Sequence, residues 1–306
     1  MISLGTSSWT FNEWKEVFYP MTLAKEHYLA YYATIFNTVE VNTSFYALPK
    51  PATLIKWLDQ VPPHFTFALK VPREITHEKR LHNCEQETLA YLDAVRSLGD
   101  AAGPGLLQFP PNFTRTRYGH ALARYLDWLA TEAQDLRMAV EVRSADLMTP
   151  AFAKFVAERG MALVLVDRVN TPDLSDVWYK LCQEESDSPT FTFIRWIGDD
   201  KNTPPKGDPT KNREIIKPQD AMLQAWANRI ATFAAVNPNH TIYGYMHNPY
   251  EGHSPASLHR LFAYLEDYSN IPPWPPEGWQ PAFEQVSEDA DTSGEVPASP
   301  QLSLFG

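Results

Sequence analysis

Only two cysteines occur in the 306 residues, Cys84 and Cys182. They stand far apart, with no C-x-x-C pair and no histidine at zinc spacing, which excludes a disulfide framework and a structural zinc motif. Two free thiols in a reducing cytoplasm are the expectation. No stretch approaches the ~20 apolar residues of a membrane span. The opening MISLGTSSW lacks the basic segment and long apolar run of a secretion signal. Positive charge is also short: 26 Lys and Arg face 37 Asp and Glu, for a net −11. Six of those acids follow Pro272, where no Lys or Arg occurs, and removing them from −11 leaves −5 for the rest. Such a body has no broad electrostatic grip on nucleic acid, although a locally basic rim is compatible with it. These absences predict a soluble, cytoplasmic protein.

What is present is a 44% hydrophobic composition, enough for a full-sized core, distributed in eight short apolar runs. In order they are SLGTSSW, FNTVEVN, FTFALKV, GLLQFP, MAVEVR, ALVLVD, FTFIRW and IYGYMH. Runs this apolar, separated by helical periodicity, read as parallel strands covered on both faces. The helical pattern is clearest in Leu23–Ile35, Glu85–Leu98, Tyr118–Thr131, Pro150–Arg159, Asp220–Val236 and Pro255–Tyr268. Pro51–Leu58 and the region Asp173–Leu181 supply two more. Eight strand–helix units over residues 1–270 predict a single-domain (β/α)8 TIM-type barrel, with its site on the rim formed by the strands' C-terminal ends. Two rim loops are long, Pro72–Asn83 and Gly198–Lys217. Residues 271–300 turn proline-rich and then acidic, a linker composition expected to be partly disordered. The chain closes on an apolar peptide, residues 301–306.

Side chains two apart on a strand share a face. Thr38, Glu40 and Asn42 therefore point together, as do Glu141 and Arg143, and the same logic adds Lys70, Asp167 and Arg195 to the mouth. Gln108 and the pair His247–Asn248 finish two further strands. Three acids and three bases around one opening form either a structural ion-pair network or a ligand site. Leu and Val fill a barrel at lower cost than paired charges, which favours the site. Arg143 and Arg195 suit a carboxylate or phosphate. Lys70, desolvated among charges, suits a base or Schiff-base role. Glu141 and Asp167 are candidate acid–base partners, while Trp9 and Tyr46 offer flat walls for a sugar or base. Glu40, Glu141, Asp167, His77 and His247 are metal-ligating types, but Lys and Arg compete for the carboxylates and no H-x-H or H-E-x-x-H spacing occurs. No cofactor or metal is therefore predicted, with a divalent ion kept as the alternative.

GTSSW (5–9), FYP (18–20), FNTVEVNTSFYALP (36–49), FALKVPREITH (67–77), LLQFPP (106–111) and VEVR (140–143) follow one another in order. With the regions of Asp167, Arg195 and His247–Asn248, this succession closely resembles the YecE-like family known as domain of unknown function 72. The resemblance implies a (β/α)8 barrel and no established activity. The chain departs from it after Arg143, where Ser144–Leu147 replaces a His-x-Ser-Trp-like segment. It departs again at Arg195–Gly198, where Arg-Leu-His-Gly is usual, and at His247–Asn248, where paired asparagines are usual. The C-terminal Gln301-Leu302-Ser303-Leu304-Phe305 resembles the peptide by which bacterial polymerases and repair factors bind the sliding clamp, with Gln301 hydrogen-bonding and Leu302, Leu304 and Phe305 filling apolar pockets.

These features predict an enzyme of DNA or nucleotide metabolism recruited by the sliding clamp, a phosphodiester hydrolase in its sharpest form. The linker would raise effective concentration at DNA without new contacts. Lys70 and the arginines support an alternative, a lyase or isomerase of a small phosphorylated or carboxylated sugar. A non-catalytic ligand-binding module is the third reading.

Overall fold

The computed structural model describes residues 1–184, 189–266 and 274–281. Each of the eight apolar runs is a strand: β1 (Ile2–Thr6), β2 (Thr38–Val41), β3 (Thr66–Leu69), β4 (Gly105–Gln108), β5 (Met138–Glu141), β6 (Ala162–Arg168), β7 (Phe191–Gly198) and β8 (Thr241–Met246). Between and after them lie α1 (Tyr28–Ala33), α2 (Pro51–Leu58), α3 (Glu85–Arg96), α4 (Arg115–Glu132), α5 (Pro150–Ala157), α6 (Ser175–Glu184), α7 (Asp220–Val236) and α8 (Ser254–Glu266). Prolines open α2 and α5, where the missing N–H costs nothing. No helix among the described residues is long and apolar enough to cross a membrane.

The strands do not form the expected closed eight-stranded barrel. The continuous parallel sheet has six strands, in the order β1-β8-β7-β6-β5-β4, an open half-barrel, and β2 and β3 form a separate two-stranded ladder. That ladder pairs with residues at or flanking the sheet's two edges through isolated bridges, Ser7 to Glu40 on one side and Phe67 to Ala102 and Lys70 to Leu106 on the other. The physical reason is that side chains occupy the seams. Between β1 and β2 the Tyr32 hydroxyl accepts from Thr6 N at 2.7 Å and donates to Thr38 O at 3.0 Å. Asn37 likewise accepts from Leu4 N and donates to Ile2 O. Between β3 and β4 the Tyr91 hydroxyl donates to Leu69 O at 2.7 Å. Gly105 lies so close that a Cβ there would come within 2.4 Å of the same hydroxyl. Where the bridges leave off, backbone groups at these seams are satisfied, as buried groups must be, by the side chains of Tyr32, Asn37 and Tyr91 instead of a neighbouring strand.

The long rim loops carry structure of their own. Pro72–Asn83 contains a π-helical turn over Glu74–Glu78, a deviation often found at functional sites. The loop after β7 begins at Gly198, φ +73°, where a Cβ would collide with Pro249 O. That close approach requires glycine. Residues 282–306, including the clamp-like peptide, fall outside the described part. Of the proline-rich segment, Trp274 is described: it half-buries and donates to Ala33 O at 2.9 Å.

Candidate functional site

Register decides which side chains meet. Arg195 on β7 is level with Val166 on β6 and Tyr245 on β8, so these three share the concave face. Glu40 is level with Ala68, two residues before Lys70, and Gln108 is level with Glu141. Glu40, Lys70, Gln108, Glu141 and Arg195 therefore point inward from five strands, and all are at most 8% exposed.

Arg195 is the hub. Its Nε and Nη2 donate to the two carboxylate oxygens of Glu40 at 2.7 and 2.9 Å, and its Nη1 donates to Glu141. Glu141 also accepts from Arg143 Nε at 2.8 Å, and Ser7 Oγ donates to Glu40 at 2.9 Å. Asn42 donates in turn to Ser7. Burial alone would raise both carboxyls, but Arg195, aided by His247 at Glu40 and by Arg143 at Glu141, holds them down at about 2. Two glutamates and two arginines balance. The third cation, Lys70, has no carboxylate within ion-pair distance. Its Nζ lies 4.2 Å from the centre of the Phe45 ring, a cation–π contact. Burial and the charge of Arg195 outweigh the two glutamates and bring the amine down to about 8. His77, from the π-helical turn, packs edge-on against Phe45 with ring centres 4.9 Å apart and shares a 2.8 Å hydrogen bond with Thr76. Burial, then Lys70 and Arg143, push it down to about 4, so it is neutral. Gln108 is buried and donates to Phe109 O.

Three expected members are placed elsewhere. Asp167 is level with Trp196, not Arg195, and so faces the helical layer. It accepts from Trp226 Nε1 at 2.7 Å and from the Tyr250 hydroxyl at 2.9 Å. Asp167 has the opposite strand parity to the inward-facing Val166, next to a register shift between Asp167 and Arg168. Trp9 is no wall of the mouth: it is 8% exposed and packs edge-on against Trp57 of α2. Tyr46 is 73% exposed, and its neighbour Phe45 supplies the aromatic surface instead. Sequence reading missed Phe45 and Ser7, although both lie within the motifs FNTVEVNTSFYALP and GTSSW. His247 and Asn248 do reach the rim, where they line a cleft of about 650 Å³ with Asn42 and the loop after β7. Larger hollows lie elsewhere: about 720 Å³ between α4 and α5, and about 870 Å³ around Arg96 and Asp135. Neither contains a member of the charged ring.

The ring's carboxylate oxygens are taken up by guanidinium donors, and among the described residues no group of three His, Cys, Asp or Glu side chains is arranged to hold a metal ion. What the arrangement offers is a surplus positive charge, an amine titrating near neutrality, and two neutral imidazoles.

A family profile described as "Protein of unknown function DUF72" matches residues 3–280. UPF0759 protein YecE of Escherichia coli is 28% identical over 280 residues, 87% of this chain and 93% of that protein. UPF0759 protein YunF of Bacillus subtilis is 28% identical over 158 residues, half of this chain and 54% of that protein. Among solved structures, a DUF72 family protein of Thermotoga maritima superposes with a TM-score of 0.69 at 22% identity, covering 87% of this chain and 99% of that one. One from Enterococcus faecalis gives 0.67 at 19% identity, covering 92% and 100%. At that identity the structural likeness shows the fold alone.

Proposed function

Because the chain belongs to the DUF72 family, described as one of unknown function, we propose from the geometry that the ring is an anion-binding active site with Lys70 as its reactive amine. The carrying observation is the buried Lys70, without an ion-pair partner and within electrostatic reach of Arg143, in a network whose other charges cancel. A phosphate or carboxylate supplies the missing negative charge, and Arg143 is placed to grip it with the nitrogens not used on Glu141. A lysine near pKa 8 has an appreciable neutral fraction at physiological pH, which suits proton abstraction or carbinolamine formation with a ligand carbonyl. This favours a lyase or isomerase of a small phosphorylated or carboxylated molecule over metal-assisted phosphodiester hydrolysis, whose carboxylate donors are engaged here by arginine. The setting is the cytoplasm, where Cys84 and Cys182 stay as thiols.

Inorganic phosphate is the first probe, by calorimetry on the full chain. Lys70→Met and Arg143→Ala are each expected to weaken it roughly tenfold or more. Sodium borohydride added with aldehyde or ketone phosphates should then leave a mass adduct mapping to Lys70. Phosphate binding indifferent to both substitutions, with no adduct, would sink the assignment.

The peptide Gln301–Phe305 motivates a second, independent proposal, that the chain docks on the sliding clamp. Fluorescence polarisation with the full chain and with a form lacking 301–306 tests it. Micromolar binding that vanishes with the truncation supports docking, and equal or absent binding by both forms rejects it.

A further inference from the structure

The 650 Å³ cleft beside the ring is lined by several polar side chains with atoms that bond no other protein group. Asn212, in the loop after β7, is only 6% exposed, yet its carboxamide has no hydrogen bond among the described residues. It sits at φ +58°, a left-handed conformation in which few residues other than Asn and Gly are stable. Asn248 is 5% exposed and uses Oδ1 to accept from Ser254 N and Oγ at 2.9 and 2.8 Å, leaving its Nδ2 free. Asn42 donates to Ser7 and leaves its Oδ1 without a partner. His247 turns Nε2 inward, 3.7 Å from Glu40 Oε1, and this buried atom has no hydrogen bond. The carboxylate favours the tautomer protonated at Nε2, which leaves the Nδ1 lone pair as an acceptor toward the cleft.

Asn212 and Asn248 are nine-tenths buried and carry unbonded amide atoms on the cleft, with the half-buried Asn42 beside them, so the lining offers a ligand several donors and acceptors. These four are neutral, three carboxamides and an imidazole that burial and Arg195 bring down to about 3, and Asp200 and Lys211 add one charge of each sign to the lining, which cancel. Phe11 and Pro249 give the same cleft apolar surface. A chain of alternating hydroxyl and C–H groups matches both kinds of lining, because each hydroxyl donates and accepts while the C–H faces need apolar contact. The cleft and the ring share the strands' C-terminal ends, and Ser7 links them by bonding both Asn42 and Glu40.

We propose that this cleft is a sugar subsite, holding the uncharged polyhydroxylated part of the ligand whose anionic group sits at Lys70 and Arg143; the assignment rests on the anion-site reading above. His247 Nδ1 accepts a ligand hydroxyl, and Asn212 and Asn248 fix the orientation of the remainder.

The test compares inorganic phosphate with ribose 5-phosphate and glucose 6-phosphate, by calorimetry on the full chain. At least one sugar phosphate should bind roughly tenfold or more tightly than phosphate. Asn212→Gly, which removes the side chain while permitting the same positive φ, should abolish that advantage and leave phosphate affinity unchanged. Arg143→Ala should weaken all three. Sugar phosphates no tighter than phosphate, or an advantage that survives Asn212→Gly, overturn the subsite. If phosphate fails to bind at all, the anion reading falls separately. Free ribose and glucose, followed by ligand-observed NMR, then decide the cleft alone: binding lost in Asn212→Gly upholds it, and no binding to the unmodified chain rejects it.

Discussion

Lys70 is costly to keep. Its ammonium is buried, at 8% exposure, with no carboxylate of its own, and its pKa falls from 10.5 to about 8, a shift worth on the order of 3 kcal/mol. The folded state releases this proton more readily than the unfolded chain. Below pH 8 both states hold it and the full penalty applies. Between about 8 and 10.5 the unfolded chain binds more protons, so stability rises with pH, and above 10.5 the penalty is gone. Lys70→Met keeps the unbranched stem and removes the charge. It is expected to be more stable than the parent at pH 7, by up to a few kcal/mol in urea unfolding, while losing phosphate affinity. A gain that shrinks as pH approaches 10.5 would identify desolvation as the cause. A destabilised Lys70→Met at pH 7 would show that the amine serves structure instead. The glutamates behave oppositely. Titrating at about 2 against 4.5, they contribute stability that is complete above pH 4.5 and lost as pH falls through that window. Period-two alternation places the ring because Glu40, Gln108, Glu141 and Arg195 lie on regular strands and Lys70 continues β3 by one residue. It misplaced Asp167 because one residue of register carries a side chain to the opposite face.

Eight strands and eight helices were legible from periodicity, and Pro51–Leu58 and Asp220–Val236 agree with it to the residue. The way the strands associate was not legible. Nothing in the apolar runs reveals that the Tyr32 and Tyr91 hydroxyls take hydrogen bonds a continuous ladder would make, since both tyrosines sit on helices and read as ordinary core positions. Tyr32→Phe preserves the ring packing and strands Thr6 N and Thr38 O without the hydroxyl that joins them at 2.7 and 3.0 Å. The expected cost is about 1–3 kcal/mol, read as a lower urea midpoint at unchanged m-value. Faster amide exchange should be confined to β1 and β2. Unchanged stability would mean that the two edges simply pair directly once the hydroxyl is gone.

At the scale of the whole molecule, the rim is assembled by ties between segments remote in sequence. The loop after β7 is fixed at its far end by Glu251, whose backbone O accepts from Ile216 N and Lys217 N and whose carboxylate accepts from Gln219 N and Arg260. Its middle is held by Arg213, which donates to Glu13 O and Lys15 O, each at 3.0 Å, and to Glu16. These bonds join residues about 200 positions apart and set Asn212 against Asn42 and His247 across the cleft. Composition marked this loop as unusual, but no local pattern in Gly198–Lys217 names its partners, because a guanidinium bound to backbone carbonyls leaves no signature in the receiving sequence. Arg213→Ala should leave the strands intact and raise amide exchange across 199–217 and around 13–16. Sugar-phosphate affinity should fall while inorganic phosphate, whose proposed seat is Lys70 and Arg143, binds as before. A uniform loss of both ligands would mean that the two halves of the rim move as one body. Selective loss would mean that the cleft is shaped by this loop and the anion seat by the strands, so each half can vary without disturbing the other.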